Sequence, residues 1–176
     1  MSVSIREARF EDPADGEAIL HVLNTYAMDP VGGGRPLTAE VRTRLLPVLR
    51  EHGRALVLLA FDGPDPVGLA TCFLGVSTFQ ARPLLNIHDL AVVPTHRGRG
   101  IGRALLNAAE REALQHGCCR LTLEVQEGNT RARKLYERFG FTDYVLGEPV
   151  ATRFLCKSLP AAPPAPPQGD SSGKHG

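Results

Sequence analysis

Cysteine is scarce and badly placed for metal. The 176 residues hold four, Cys72, Cys118, Cys119 and Cys156. No two are spaced C-x-x-C, and the adjacent Cys118 and Cys119 make a poor chelate by themselves. The six histidines show no spacing that gathers ligands on one face, so no metal site is expected. The thiols read as reduced, buried cysteines of a cytoplasmic protein. Long apolar runs are missing too: nothing approaches the ~18 residues that a membrane helix needs. The first residues carry Glu7, Glu11 and Asp12 and no apolar h-region, which does not suit a signal peptide. Net charge is only +1, too little to draw the whole chain to nucleic acid or to a membrane surface. Arginines do gather at 97–103 and 131–138, but no recognition motif accompanies them, so no nucleic-acid or membrane partner is expected. No internal repeat is visible.

What the chain does have is one organised stretch, Leu90 to Phe141. An apolar strand (LAVV) runs into a loop dense in glycine and arginine, Arg97-Gly98-Arg99-Gly100-Ile101-Gly102. That loop opens straight into an amphipathic helix. A helix N-terminus presents unpaired N–H groups and the positive end of the dipole, so an anion settles there. Glycines at alternate positions remove Cβ atoms where backbone must approach a ligand, and successive N–H groups can form an anion nest. Arg97, Arg99 and Arg103 add charge suited to a diphosphate or a ribose phosphate. Two rival phosphate loops fit less well. The P-loop string of glycine, four residues and Gly-Lys-Ser/Thr does not occur. The dinucleotide fingerprint would need a third glycine where Arg103 stands; Glu124 lies near the distance of its acidic residue, so that rival is weakened rather than removed.

The flanking pattern alternates strands and helices. Val3, Ile5 and Ala8 suggest a first strand, and Asp12 or Asp15 starts a helix whose stripe is Ile19, Val22, Leu23 and Tyr26. That spacing favours a core role for Tyr26 over a ligand contact. Asp29 to Pro36 (DPVGGGRP) is a mobile loop. Thr38 caps a second helix with the stripe Val41, Leu45, Val48 and Leu49, which Pro47 should kink or end. Ala55 to Phe61 and Val67 to Val76 form a hairpin around Asp62-Gly63-Pro64-Asp65, with a bulge near Gly68. A loop, Thr78 to Leu85, precedes the strand Asn86 to Val93. The helix Ile101 to His116 has Gly102 inside its apolar stripe, which would let helix and sheet approach closely. Arg120 to Val125 alternates as a strand. Asn129 caps a last helix with the stripe Ala132, Leu135, Tyr136 and Phe139. Thr142 to Leu146 and Val150 to Lys157 suggest a closing hairpin. Residues 1–158 are expected to form one domain. Residues 160–176 lack any hydrophobic residue larger than alanine, and 159–176 are expected to be a disordered tail.

Arg97-x-x-Gly100-x-Gly102 after LAVVP resembles the acetyl-coenzyme A loop of the GNAT family of N-acetyltransferases. Asn129, Ala132, Leu135, Tyr136 and the GFT after Phe139 resemble the family's second motif, in the right order. The resemblance implies an α/β fold with a mixed, mostly antiparallel sheet of about seven strands flanked by about four helices. It implies an N-acetyltransferase that moves an acetyl group from acetyl-coenzyme A to a primary amine of a small molecule or peptide, by direct attack in a ternary complex. A non-catalytic acyl-coenzyme A sensor is the alternative. The implied coenzyme contacts are Arg97, Gly98, Arg99, Gly100, Ile101, Gly102 and Arg103 for the diphosphate. Backbone of Leu90, Val92 and Val93 would hold the pantetheine arm, together with Asn129 and Tyr136. In the family Tyr136 would lie near the thioester sulfur, although its place in the helix stripe would explain it equally. Glu124, in LEV before a loop, resembles the base proposed for ribosomal-protein N-terminal acetyltransferases. His88 is the other candidate base, with Asp89 to orient it or to bind the acceptor's charge. Asp29 and Arg35 are substrate candidates, in a loop that is as well read as a connector. A homodimer is a family analogy only.

Overall fold

The chain's computed structural model describes residues 3–144 and 155–157. Residues 1–142 form one unit. Its first strand, β1 (Ser4–Glu7), leads into helix α1 (Pro13–Ala27), which Asp12 caps by accepting from the Ala14 N–H. After a single 3-10 turn at Pro30–Gly32, helix α2 (Ala39–His52) begins under a Thr38 cap. Three strands follow, β2 (Ala55–Asp62), β3 (Asp65–Ser77) and β4 (Arg82–Val92). Helix α3 (Ile101–Gln115), the short strand β5 (Leu121–Leu123) and helix α4 (Thr130–Phe139) complete the unit. The sheet order is β1-β2-β3-β4-β5. The first four strands pair antiparallel and β5 joins β4 in parallel. The sheet is thus mixed, and five strands stand among the described residues rather than about seven. The expected closing hairpin, Thr142 to Leu146 and Val150 to Lys157, lies largely outside the described residues. Its described parts, 142–144 and 155–157, carry no strand. The expected boundary at residues 158 and 159 also lies outside them.

The core is aliphatic and sits on both faces of β2, β3 and β4. Val57, Leu59, Leu69 and Leu85 are wholly buried, as are Ile19 of α1 and Leu105 and Leu106 of α3. Register places Gly68 of β3 opposite Val92 of β4, and α3 crosses directly over this point. A Cβ on Gly68 would stand 2.9 Å from the Ala91 carbonyl oxygen and 3.3 Å from side-chain atoms of both Ile101 and Leu105. The bulge expected near Gly68 is there: Ala60 faces Gly68 while Phe61 faces Pro66, so Val67 is the extra residue. Gly102 has a different task from the one its stripe suggested. Its missing Cβ leaves room for Leu135 of α4, whose Cδ2 would lie 3.1 Å away. Close approach of α3 to the sheet therefore depends on Gly68, and close approach of α4 to α3 depends on Gly102.

Two sequence expectations fail for local reasons. Pro47 neither ends nor breaks α2, which runs on to His52 before Gly53 turns it off with φ 67°. Thr43, whose carbonyl loses its partner, is exposed, so water can satisfy it. Leu45, Leu46 and Leu49 fasten the helix to the core, while Val41 and Val48 of the expected stripe stay exposed. Strand β4 begins at Arg82 rather than Asn86. Pro83 disguised its start, yet it lies near the strand end, opposite Val76, where a missing N–H is tolerated.

One buried charge anchors the first helix. Asp15 is 1% exposed. It accepts from both terminal nitrogens of Arg6 and from the Arg9 N–H. The Arg6 hydrogen bonds hold its carboxyl below the usual carboxylate range against the opposing effect of burial. Because the native value is depressed, the contribution is present above about pH 4 and is lost as pH falls through the native value. Asp15→Asn should cost about 2 kcal/mol at pH 7 by urea unfolding, and the difference from wild type should shrink towards pH 3. Gly68→Ala should destabilise by about 1–3 kcal/mol through forced separation of α3 from the sheet.

Candidate active site

The site is built where β4 hands over to α3. A 3-10 turn, Pro94–His96, leaves the strand, with the His96 N–H donating to the Val93 carbonyl. Gly98 and Gly100 then adopt φ of 80° and 82°, the left-handed region where only glycine is unstrained. The first helical hydrogen bond of α3 runs from the Ala104 N–H to the Gly100 carbonyl at 3.0 Å. No side chain caps the helix. By contrast α1, α2 and α4 carry side-chain caps from Asp12, Thr38 and Asn129. The N–H groups of residues 98–103 find no acceptor among the described residues. This is an open run of donors at the positive end of a helix.

The arginines beside it are less free than the sequence suggested. Arg97 turns back: its Nε donates to the Val92 carbonyl at 2.9 Å and its Nη2 meets Asp29 Oδ2 at 2.7 Å. Arg99 donates to Asp62 Oδ2 at 2.8 Å, with His96 3.6 Å from the same oxygen. Arg103 is exposed and makes no ion pair among the described residues. The cradle therefore offers main-chain donors and one uncommitted guanidinium.

Next to the cradle the sheet opens. Strand β5 pairs with β4 only from Leu85 to Ile87. Thr71 faces Asp89 while Cys72 faces Ile87, so His88 is the extra residue of a bulge. Beyond it, β4 has no partner on the β5 side among the described residues. The Val93 N–H donates to the Val67 carbonyl, which turns alternate residues 91 and 93 toward β3. Leu90 and Val92 accordingly turn their backbone to the gap, with the Val92 carbonyl already accepting from Arg97 Nε. Val93 does not, since both its N–H and its carbonyl are spent within the fold.

The sheet face that α1 and α2 cover carries polar groups at this opening. Alternation and register put Thr71, Phe73, Asn86 and Asp89 on it, opposite the face that meets α3. Asn86 Nδ2 donates to Thr122 Oγ1 at 3.2 Å and to Glu124 Oε1 at 3.3 Å. His88 is exposed and stands edge-on to Phe73, ring centres 5.5 Å apart; His52 approaches the same ring at 5.0 Å. Burial raises the Asp89 carboxyl, with His88 and the Thr71 hydroxyl pulling the other way. Thr71 Oγ1 is buried and makes no hydrogen bond of good geometry. Tyr136 of α4 is half-buried against Phe141. Burial, and then the neighbouring Tyr26, push its phenol up to about 12. Burial, then Asp89 and Asp29, raise Tyr26 as well.

Asp29, Asp89, Tyr26 and Tyr136 therefore sit within electrostatic reach as a chain of neighbours, although they come from four elements. Asn129 spends its side chain on the α4 cap, accepting from the Ala132 N–H at 3.2 Å. Asp29 is engaged by Arg97 and by the Val31 N–H, and Arg97 above all holds its carboxyl below the usual range. Arg35 is exposed. Sequence reasoning weighed Tyr26 as core before ligand contact, and it packs on the core as well as facing the site; it missed Asn86, a lone amide in an apolar strand that carried the available signal.

The profile of the acetyltransferase (GNAT) family matches residues 20–141. An uncharacterized N-acetyltransferase of Bacillus subtilis, YhfO, is 31% identical over 147 residues, spanning 80% of this chain and 91% of that protein. The thialysine N-epsilon-acetyltransferase of Bos taurus is 35% identical over 87 residues, 49% of this chain and 51% of that one. A solved structure described as a transcriptional regulator from Bacillus halodurans C-125 has a TM-score of 0.71 at 25% identity, covering 87% of this chain and 100% of its own. The chain belongs to the GNAT family of acetyltransferases, which generally take acetyl-coenzyme A as co-substrate.

Gly100→Val forces a β-branched residue into left-handed backbone and displaces the adjacent donors. It should weaken coenzyme A binding by about tenfold or more in calorimetry while the far-ultraviolet circular dichroism stays native, the expected signature of damage confined to the loop.

Proposed function

We propose that the chain transfers an acetyl group from acetyl-coenzyme A to a primary amine of a small molecule or peptide, by direct attack in a ternary complex. The observation that carries this reading is the run of unpaired N–H groups from Gly98 to Arg103 opening beside the bared edge of β4. The donors suit a diphosphate, and Leu90 and Val92 suit an extended amide arm laid along the strand. Bound acetyl-coenzyme A supplies an acetyl thioester whose C–S bond breaks as the acceptor nitrogen forms the new C–N bond. No helix among the described residues is long and apolar enough to cross a membrane. None of the described His, Cys, Asp and Glu residues group in threes that could hold a metal.

Tyr136 is assigned to the departing sulfur. A phenol at about 12 is a weaker acid than a free thiol near 8.5, so full proton transfer to the thiolate would be uphill by about 5 kcal/mol. Tyr136 therefore acts as a hydrogen-bond donor that steadies the charge on sulfur and keeps its own proton. Glu124 is assigned as the base that takes the amine proton, its carboxylate held toward the opening by Asn86. Asp89 receives the positive charge of the incoming amine. His88, exposed at the bulge beside Asp89, is the competing base.

Tyr136→Phe should lower kcat by about 10–100-fold and change coenzyme A affinity by less than about threefold. A base must be deprotonated to act, so wild-type kcat/KM should fall on the acid side; the variant that abolishes that limb, Glu124→Gln rather than His88→Ala, identifies it. The whole reading is tested by two measurements on the wild-type chain. Acetyl-coenzyme A at about 100 times its Kd should stabilise the fold by about 2.7 kcal/mol. Free thiol should then appear over a panel of small amines and peptides. Stabilisation without thiol release from any of them would overturn catalysis and leave a coenzyme-binding module.

A further inference from the structure

We propose that Arg97 is a positioning residue that couples coenzyme binding to the loop on the acceptor side of the site, residues 29–36. The proposal rests on the functional reading above, and it takes Arg97 out of the set of phosphate ligands. One guanidinium joins three parts of the molecule. Its own backbone opens the cradle, with Gly98 next in the chain. Its Nε holds the Val92 carbonyl, which faces the parted edge of β4. Its Nη2 holds Asp29 at 2.7 Å, in a pair where the Arg97 side chain is 27% exposed and Asp29 only 14%.

Asp29 in turn organises the loop that follows α1. Its Oδ1 accepts from the Val31 N–H, and its carbonyl accepts from the N–H groups of Gly32 and Gly34. The Asp29 N–H donates to the carbonyl of Tyr26, the residue that faces Tyr136 and Asp89 across the site. The loop has few other restraints. Gly33 and Gly34 have positive φ and nothing within 4 Å of a built Cβ. It is tied down at Gly32, which packs directly against the backbone of Tyr26 and Ala27, and at its return, where the Arg35 N–H meets the Ala27 carbonyl and the Leu37 N–H meets Asn24 Oδ1.

A ligand that fixes the cradle and the edge of β4 must therefore also fix the Arg97 side chain, and through it Asp29 and the loop. Linkage makes the effect reciprocal: an acceptor that orders the loop tightens coenzyme binding by the same factor. The arrangement favours coenzyme and acceptor being held together, as direct transfer between them requires.

Amide hydrogen exchange of the intact chain, with and without coenzyme A, tests this. In the wild type, exchange of amides in residues 29–36 should slow by about fivefold or more when coenzyme A binds. Asp29→Asn keeps an oxygen for the Val31 N–H but removes the charge that Arg97 holds. It should bind coenzyme A within about threefold of wild type by calorimetry and lose the loop's protection. Arg97→Lys keeps the charge without the two-point contact, and should retain only part of it. Coenzyme A bound with no change in loop exchange would overturn the coupling and leave the functional reading standing. Protection surviving in Asp29→Asn, with affinity collapsing in Arg97→Lys, would overturn it in favour of a phosphate ligand. Absence of coenzyme A binding by the wild type would overturn the functional reading together with the coupling.

Discussion

A helix that starts on glycine, without a side-chain cap, forgoes roughly a few tenths of a kcal/mol and leaves its first N–H groups open. In this chain α3 starts that way, while α1, α2 and α4 are capped. The donors this leaves open are the N–H groups of the first turn, Ile101, Gly102 and Arg103, which continue the run from Gly98 to Gly100. The gain from capping is thus withheld at a helix start that lies beside the gap in the sheet. A capping oxygen there would compete with any phosphate for the same N–H groups. The rest of the architecture serves to hold this bare terminus in place.

Three contacts do so. Gly68 lets Ile101 and Leu105 press against β3, fixing the depth of α3. Gly102 admits Leu135, so α4, which carries Tyr136, is set against the first turn of α3. Arg97 and Arg99 tie the two sides of the loop to Asp29 and Asp62. The bulge at His88 and the early end of β5 then part the sheet beside that terminus. Depth, tilt and flank of the cradle are thus each set by a separate interaction, and none of them uses the donors themselves.

Local signals carried most of this into the sequence. The alternating glycines of the cradle, the stripes of α1 and α3, the caps at Asp12, Thr38 and Asn129 and the Asp62–Asp65 turn depend on neighbours a few residues apart, and each appears where the pattern put it. What escaped depends on distant partners. Nothing near Arg97 hints that Asp29 holds it, and nothing near Gly102 says that its close neighbour is Leu135 rather than the sheet. Tyr26 fits the apolar stripe of α1 and also faces Asp89, and periodicity registers only the first fact. Of the two effects expected of Pro47, ending α2 does not occur, because the benefit of packing Leu45, Leu46 and Leu49 is invisible to a rule about backbone donors. Strand β4 was shortened because Pro83 looks like loop unless its position near the strand end is known.

In the proposed reading, main-chain donors rather than arginine charge place coenzyme A. A crystal structure of the chain with coenzyme A tests that most directly. The account predicts diphosphate oxygens within hydrogen-bond distance of N–H groups in residues 98–103, with the Arg97–Asp29 pair intact. A diphosphate held elsewhere, or held by Arg97 with Asp29 released, would contradict it.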